Sequence, residues 1–270
     1  MTNGLESATE TSRWVMLKQL TGFFNFIGEA TIIGLTSIRR IIAGDINISD
    51  TINQMALIGF NSLPIVIVTT AFSGAVLALY TSQLMVQWGV GSLVGGGVSI
   101  SVVRELAPVL TAIVVAARAG SAIAAEIGTM KVTEQVDALR SLGTSPIQYL
   151  AVPRFLALVL MLPVLTMLGD IVGSFGGYVV AMANGVSSAS YLNSARTWLT
   201  IEDITKGLFK TIFFGAFIAI VGVQQGLSTT GGAAGVGRST MNAVVISMIL
   251  IYISNYFLAA ILFGGRTPGF

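Results

Sequence analysis

The sequence predicts an all-α, polytopic membrane protein. Of its 270 residues, 54% are hydrophobic and only 10% are charged, and the mean hydropathy is +0.84. Soluble domains carry about 25% charged residues. Three stretches (51–103, 211–237 and 239–265) contain no Asp, Glu, Lys or Arg. Because about 20 apolar residues cross the hydrocarbon of a bilayer, each stretch holds at least one membrane span.

The composition also argues against an enzyme. The chain has neither Cys nor His, which removes thiolate chemistry, the usual acid–base group and the commonest metal ligand. We therefore expect no catalytic residue, no metal site and no cofactor in this chain. The basic residues are scattered, with no run beyond Arg39–Arg40, so the net charge of +2 does not indicate nucleic-acid binding.

The N-terminal region predicts a cytoplasmic tail over residues 1–19 and an interfacial helix over 20–43. The tail lacks the patterns of a secretory signal and of an Arg-rich transit peptide. The second segment is apolar but is interrupted by Glu29 and ends in Arg39–Arg40, which is typical of a helix lying in the membrane surface. A sixth span through this segment stays open as an alternative.

The first two spans are predicted at about 55–82 and 98–125, within a five-span domain over 50–265. The second contains Arg104, Glu105 and Arg118, and ionisable groups at membrane depth need partners or water. Arg104 and Glu105 either neutralise each other or contact a substrate headgroup at a cavity mouth. On an ideal helix Arg118 lies about 40° round from Arg104 and about 20 Å along the axis, so we expect it to face the same side and to anchor packing.

A charged loop follows the second span and predicts a helix outside the bilayer. In that helix Thr133 is a candidate N-cap, Asp137 and Arg140 match the helix dipole, and Gly143 ends it. The helix is either a solvated connection or a docking element for a cytoplasmic partner. Its charged residues, with those just before it, are Glu126, Lys131, Glu134, Asp137 and Arg140.

The remaining spans are predicted at about 154–183, 207–226 and 241–263, with a polar loop and a short helix over 184–205. In the third span, small residues recur at i, i+4 and i+8 and make a flat face for close packing; they are Gly169, Gly173 and Gly177. Asp170 beside them reads as a hydrogen-bonded packing residue, with a proton-coupling carboxylate as the alternative.

A Gly-rich segment over 232–239 matches a phosphate-binding loop except that Arg238 replaces the Lys. A true loop of this kind follows a strand in an α/β domain, so we expect a flexible turn between two spans instead. Orientation follows from the bases in the flanks. With the N-terminus inside, eight bases lie inside (Arg13, Lys18, Arg39, Arg40, Lys131, Arg140, Arg154 and Arg238) and four outside (Arg196, Lys206, Lys210 and Arg266).

Several motifs together resemble the MlaE-type permeases, the membrane subunits of lipid-transporting ABC systems, which include a trigalactosyldiacylglycerol permease of chloroplast envelopes. The match covers roughly 50–265. It rests on Arg104-Glu-Leu-Ala-Pro-Val-Leu-Thr-Ala, Ala117-Arg-Ala-Gly-Ser-Ala, Ala125-Glu-Ile-Gly-Thr-Met, Thr133-Glu-Gln-Val-Asp-Ala-Leu, Pro153-Arg-Phe and Thr230-Gly-Gly-Ala-Ala-Gly-Val-Gly-Arg.

The resemblance implies a homodimer with an N-terminal interfacial elbow helix, five spans and a coupling helix between the second and third, here about 126–142. It also implies a cytoplasmic ABC ATPase that binds ATP and Mg²⁺, an MCE-domain lipid carrier on the outer side, and glycerophospholipid as cargo. The membrane would be the inner (plasma) membrane of a Gram-negative-type bacterium, a cyanobacterium being one candidate, with an organelle membrane left open.

By position, the resemblance places Glu126, Lys131, Glu134, Asp137 and Arg140 at the ATPase surface. It also favours a substrate role for Arg104 and Glu105, near the headgroup in a dimer cavity. Acyl chains would contact a stripe at helical spacing, Leu77, Leu84, Met85 and Trp88, which ordinary dimer packing would explain equally well. Arg118, Asp170 and the three glycines are expected to be structural.

Two other functions stay open at the level of sequence. An ion-coupled secondary transporter would use Asp170 with Arg104 and Glu105, although such proteins normally show inverted repeats and none is visible here. A membrane scaffold without a substrate would bind no lipid specifically.

Overall fold

Helices form every regular element of the residues that the structure describes. The structure is a computed structural model that describes residues 2–264, with side chains for 21, 22 and 24–264. Its helices are α1 (Thr2–Ile42), α2 (Ile48–Gln87), α3 (Val94–Ser101), α4 (Ala107–Val115), α5 (Ser121–Val132), α6 (Gln135–Ser141), α7 (Val152–Ala183), α8 (Ser188–Trp198), α9 (Ile201–Leu227) and α10 (Gly232–Phe263). A 3₁₀ turn (Gly91–Leu93) and three π-helical turns (Val102–Leu106, Ala116–Gly120 and Ile147–Ala151) complete the set.

Within residues 2–264, five helical stretches are long and apolar enough to cross a membrane, which confirms the predicted number of spans. They are Ile48–Gln87, Gly91–Val132, Ile147–Ala183, Ile201–Leu227 and Gly232–Phe263. Each extends beyond the predicted bounds because the helices continue past the apolar core into polar flanks. The second span joins α3, α4 and α5 through two π turns.

The N-terminal segment forms one helix, α1, rather than a tail followed by a separate helix. At its end, Arg40 pairs with Asp45 at 2.7 Å, and Asp45 accepts a hydrogen bond from Gln148 before α7. Glu29 accepts hydrogen bonds from Gln224 of α9 and from Ser228, which directly follows that helix. These contacts attach α1 to the five-span body. The side chains of Arg13 and Lys18, and Arg266 altogether, lie outside the described residues.

The predicted glycine face of α7 packs against α2 and α3. A Cβ at Gly173 would lie 3.0 Å from Val102 and 3.2 Å from the carbonyl oxygen of Thr70. A Cβ at Gly74 of α2 would collide with the backbone carbonyl of Gly173 itself. The two helix backbones therefore touch, as the spacing of small residues predicts.

The molecule has two different ends. At one end α6 joins the second and third spans, near the start of α2 and the end of α9. At the other end α8 packs on α3, where the backbone N–H of Gly96 donates to Ser194 at 3.0 Å. Because α9 begins next to α8, residues near its start lie in the α8 half of the bundle.

Two predicted loop features are wrong. The segment 232–239 is not a flexible turn: Gly231 and Gly232 have positive φ angles of 86° and 65°, and α10 begins directly at Gly232. Thr133 does not cap α6, because its hydroxyl donates to the carbonyl of Thr129 at the end of α5. The residue before α6 is Glu134 in a left-handed conformation with φ 62°. Gly143, with φ 77°, does end the helix as predicted.

Candidate functional site

Proline creates the first element of the site by leaving a carbonyl without its helical donor. Arg104 and Glu105 lie in the π turn Val102–Leu106, in which the N–H of Ala107 bonds to the carbonyl of Val102. In a regular helix the N–H of residue 108 would bond to the carbonyl of Arg104, but Pro108 has none. The carbonyl oxygen of Arg104 therefore needs another donor. π turns are frequent at functional sites.

Lys210 of α9 supplies that donor. Its ammonium group lies 2.5 Å from the carbonyl oxygen of Arg104, 3.0 Å from a carboxylate oxygen of Glu105 and 3.0 Å from the side-chain oxygen of Asn255. An ammonium group has three protons to donate, and these three acceptors match that number. The Lys210 side chain is fully buried, so these contacts replace the water it has lost.

Asn255 of α10 closes the arrangement from the opposite side. Its amide nitrogen donates to the second carboxylate oxygen of Glu105 at 2.8 Å, while its oxygen accepts from Lys210. The second, fourth and fifth spans therefore meet at the Glu105 carboxylate. This carboxylate side chain is still 42% exposed, so part of it faces away from the bundle.

Arg104 pairs with Asp203 in the first turn of α9 rather than with its neighbour Glu105. Two guanidinium nitrogens donate to one Asp203 oxygen at 3.0 and 2.7 Å. The other Asp203 oxygen accepts from the backbone N–H and the hydroxyl of Thr200, which form a capping box. The capping box fixes Asp203, and Asp203 fixes Arg104. The alternative of a mutually neutralising Arg104–Glu105 pair is therefore wrong.

The five residues Arg104, Glu105, Asp203, Lys210 and Asn255 form what we call the charge cluster. It contains two positive and two negative groups, so it is electrically balanced. The ring of Phe263 covers it, with its centroid 4.8 Å from the Arg104 guanidinium and 5.6 Å from the Lys210 ammonium. Cations over an aromatic face are favourable, and more so where water is excluded.

An apolar groove lies beside the charge cluster on the surface of α2. It has a volume of about 490 Å³ and is lined by Phe72, Ser73, Val76, Leu77, Tyr80 and Leu106. Leu106 belongs to the same π turn as Arg104 and Glu105. The side chains of Arg104 and Glu105 are 27% and 42% exposed. A ligand whose polar group bound at the charge cluster could therefore place an attached apolar chain in the groove.

The predicted acyl-chain stripe is divided between two environments. Leu77 lines the groove, and Leu77 and Met85 both pack against the core shared by α2, α3 and α8. Leu84 is 46% exposed and Trp88 is 68% exposed. Trp88 directly follows the last residue of α2. A contact of these residues with lipid stays a prediction.

Three members of the charge cluster were missed at the level of sequence. Asp203 and Lys210 were assigned to the loop and to the flank of the fourth span, although their i, i+7 spacing puts both on one helix face. Asn255 is an isolated amide within an apolar span, and polar groups in such spans form interhelical hydrogen bonds. These signals could have identified all three.

Arg118 does not share a side with Arg104. It lies in the second π turn, Ala116–Gly120, and one of its nitrogens lies 3.5 Å from the hydroxyl of Ser62 on α2, whereas Arg104 faces α9. The calculation for an ideal helix fails because π turns lie in the segment that joins the two arginines. The contact with Ser62 is consistent with a packing role.

Asp170 lies buried next to the glycine face, 7% exposed. Its carboxylate has no hydrogen-bond partner among the described residues, so the interpretation as a hydrogen-bonded packing residue is wrong. No hydrogen bond or ion pair in the described part of the chain links it to Arg104 or Glu105. A connected proton path through the three groups is therefore not present in this conformation.

The predicted docking residues form two separate sets. Glu126 pairs with Arg154 at 2.7 Å, which joins the second and third spans below the loop. Asp137 accepts from Lys131 at 3.0 Å and from Arg140 at 2.9 Å. The hydrogen bond from Lys131 is the main reason that the pKa of Asp137 lies below its ordinary value of 3.8. Val136 of α6 is buried, whereas Leu142 at its end is 79% exposed.

Comparisons with known proteins agree on one family. The family described as "Permease MlaE" matches residues 51–261. A probable ABC transporter permease protein of Synechocystis sp. is 47% identical over 84% of this chain and 86% of its own. A probable ABC transporter permease protein of Rickettsia typhi is 42% identical over 91% of this chain and 95% of its own. The chloroplast protein TRIGALACTOSYLDIACYLGLYCEROL 1 of Arabidopsis thaliana is 40% identical over 84% of this chain and 65% of its own.

Proposed function

Because the chain belongs to the MlaE family of ABC transporter permeases, we propose that it is the membrane subunit through which such a transporter moves a glycerophospholipid. The observation that carries this proposal is the charge cluster beside an apolar groove within the spans. A lipid presents a charged headgroup next to a chain, and the site offers partners for both. The name of the Arabidopsis relative contains a galactosylated diacylglycerol, which supports a lipid as the cargo.

The headgroup would contact the exposed parts of Arg104 and Glu105, while one chain lies along Leu77. Both charged groups are held from behind, by Asp203 and by Lys210 with Asn255, so the protein need not reorganise when a headgroup arrives. Pre-organised charges of this kind favour binding because little ordering is left to be done.

The cavity would be completed by a second copy of the chain. In the most apolar stretch of α10 only 11% of the residues are buried, and in that of α2 only 28%. The corresponding share in α9 is 61%. The exposed side chains on α10 include Tyr252, Tyr256 and Phe257. A homodimer that joins these faces would enclose the groove, with the remaining apolar surface facing lipid.

The energy would come from a cytoplasmic ATPase that binds ATP and Mg²⁺ and docks on α6. Of the predicted docking residues, Glu134 and Arg140 are the most exposed of those on or next to α6, and Leu142 adds an apolar side chain. In this arrangement the α6 end faces the cytoplasm and the α8 end faces the outer side. The membrane would be the inner membrane. An MCE-domain carrier on its outer side would exchange lipid with the permease at the α8 end, near the charge cluster.

The experiment is lipid transfer in proteoliposomes that contain this chain and the ABC ATPase that co-purifies with it. We expect ATP-dependent transfer in the wild type and at least a ten-fold loss in Arg104→Gln. Arg196→Gln on the polar helix α8 is the control and should transfer normally. The docking surface would be refuted if no ATPase co-purified with the chain. It would also be refuted if the double variant Glu134→Lys/Asp137→Lys assembled with the ATPase as well as the wild type does.

The same vesicles test the ion-coupled alternative, which the buried Asp170 motivates. Transfer driven by a proton gradient without the ATPase, and abolished in Asp170→Asn, would establish that alternative. Transfer that requires ATP and is insensitive to the gradient would exclude it.

A further inference from the structure

A polar cavity opens at the α6 end of the molecule, far from the charge cluster along the spans. Its volume is about 310 Å³. It lies between the start of α2, the end of α5 and the start of the third span, and its lining is Asp50, Asn53, Gln54, Glu126, Met130, Tyr149, Leu150, Pro153 and Arg154. No part of the proposed lipid path uses this cavity.

The accessible charge of this cavity is negative. Arg154 contributes a side chain that is 6% exposed, and its two terminal nitrogens donate to Glu126 at 2.7 Å and to the carbonyl of Leu150 at 2.8 Å. By contrast, Glu126 is 56% exposed, and Asp50 lies in the first turn of α2, where one of its carboxylate oxygens accepts from the neutral side-chain amide of Asn47 at 2.6 Å. Two carboxylates and one buried guanidinium give this cavity a net charge of −1, which favours a cation.

An apolar groove continues from the polar cavity along the seam between α2 and α7. Asn53 lines both the polar cavity and a neighbouring depression, and that depression shares Ala56 and Phe60 with the seam. The seam has a volume of about 410 Å³, and its lining is Ile52, Met55, Ala56, Gly59, Phe60, Leu63, Met161, Val164, Leu165 and Leu168. We call the polar cavity and the seam together the amphipathic groove.

The length of the amphipathic groove matches a membrane lipid. From Asp50 to Leu63 the axis of α2 rises by about 20 Å at 1.5 Å per residue, which is comparable to an extended acyl chain. The carboxylates lie at the α6 end of the groove, and neutral donors lie beside them in Asn53, Gln54 and Tyr149. An ammonium group could meet the carboxylates, and a phosphate could accept from the neutral donors.

We propose that the amphipathic groove binds one phospholipid with an amine-bearing headgroup, taken from the leaflet on the α6 side. The amine contacts Asp50 and Glu126, and one acyl chain lies between α2 and α7. The site is separate from the charge cluster, which lies in the α8 half of the bundle and contains two cations. It depends only on the membrane location of the chain and not on the proposed transport function.

The test is native mass spectrometry of the full chain in detergent, after delipidation and exposure to an equal mixture of phosphatidylethanolamine and phosphatidylglycerol with identical chains. We expect the wild type to retain phosphatidylethanolamine in preference, and Asp50→Asn to reduce that preference at least five-fold. Ala56→Trp fills the seam and should remove one bound lipid per chain. Ile171→Trp, on an exposed position of α7 outside the groove, is the matched control and should retain it.

Equal retention of the two lipids by the wild type, or an unchanged lipid count in Ala56→Trp, would overturn the proposal. Asp50→Asn lies at a helix start, so its thermal unfolding is measured alongside. If it does not fold, Ala56→Trp and Glu126→Gln decide the question by the same readout. Arg104→Gln should keep the lipid in this groove while losing transport, which separates a failure of this site from a failure of the proposed function.

Discussion

The ammonium group of Lys210 lies 2.5 Å from the backbone carbonyl oxygen of Arg104. In a regular helix this carbonyl would accept from the N–H of residue 108, which is a proline and has none. A side chain of the fourth span thereby completes the backbone of the second. The defect in one helix is the binding site for the other.

Lys210→Met should destabilise the fold strongly. It leaves the Arg104 carbonyl without a donor and the partly exposed Glu105 without its cation, and a buried acceptor left without a partner costs about 1–3 kcal/mol. Thermal unfolding in detergent is the measurement. Lys206→Met is the comparison, because Lys206 is partly exposed, pairs with an exposed Glu202 and donates to the carbonyl of Leu262. We expect a smaller shift, since its removal leaves no π-turn carbonyl without a donor. The double variant Lys210→Met/Glu105→Gln should recover part of the loss, and no recovery would contradict the pairing.

Gly74→Ala should also destabilise the fold, through a steric clash. Its Cβ would collide with the backbone of Gly173, which cannot move aside like a flexible side chain. Overpacking of this kind costs about 1–3 kcal/mol. Gly237→Ala in α10 is the control, since nothing lies within 4 Å of its Cβ and Ala is the better helix former. Equal unfolding temperatures for the two variants would show that α2 and α7 do not touch as described.

Asp137 should make the order of α6 depend on pH only in the acid range. Its pKa is below the ordinary 3.8 because of the Lys131 hydrogen bond, so its contribution is complete above pH 3.8 and is lost as the pH falls through the lowered value. Hydrogen exchange of the α6 amides, corrected for intrinsic rates, should show constant protection from pH 8 to pH 5. Asp137→Asn should reduce protection throughout and abolish the acid transition. A transition near pH 6 would contradict this origin.

Glu134→Gly should stabilise the junction between α5 and α6. Glu134 has a φ of 62°, and a left-handed conformation costs a residue with a Cβ about 1 kcal/mol relative to glycine. The variant Glu134→Val should be less stable than the wild type, because a β-branched residue tolerates a left-handed conformation least. Thermal unfolding of the three proteins should follow the order Gly, Glu, Val. Equal unfolding of Gly and Val would show that the junction is not strained.

The number of spans and the glycine face could be predicted from the sequence because both follow from local patterns. Apolar length determines how many helices cross, and the i, i+4, i+8 spacing places Gly169, Gly173 and Gly177 on one side of α7 whatever the neighbours are. The helices run beyond the predicted spans because hydropathy marks only the part of a helix that hydrocarbon surrounds. For the same reason the small residues Gly232–Arg238 resemble a turn in the sequence, although they form the start of α10.

The partners of the charged residues could not be predicted in the same way. Arg104 and Glu105 were recognised as important because they lie in an apolar stretch, yet which residue pairs with which depends on how three spans meet. Asp203 and Asn255 are 99 and 150 residues away from their partners, and no local spacing relates positions so far apart. The π turns, which rotate the side chains relative to an ideal helix, are likewise not visible in the apolar pattern.

The π turn at Val102–Leu106 also makes the second span tolerant of a shorter sequence. Such a turn holds one residue more than the regular helix on either side requires, and it takes up the rotation of about 100° that an extra residue would otherwise give the rest of the helix. Deletion of one residue within the turn would therefore leave a regular helix in which α3, with Gly96 that packs on α8, keeps its direction relative to α4. The deletion would remove only the local geometry that turns Arg104 towards Asp203 and Glu105 towards Lys210. A shortened second span would thus separate the charge cluster from the packing of the bundle.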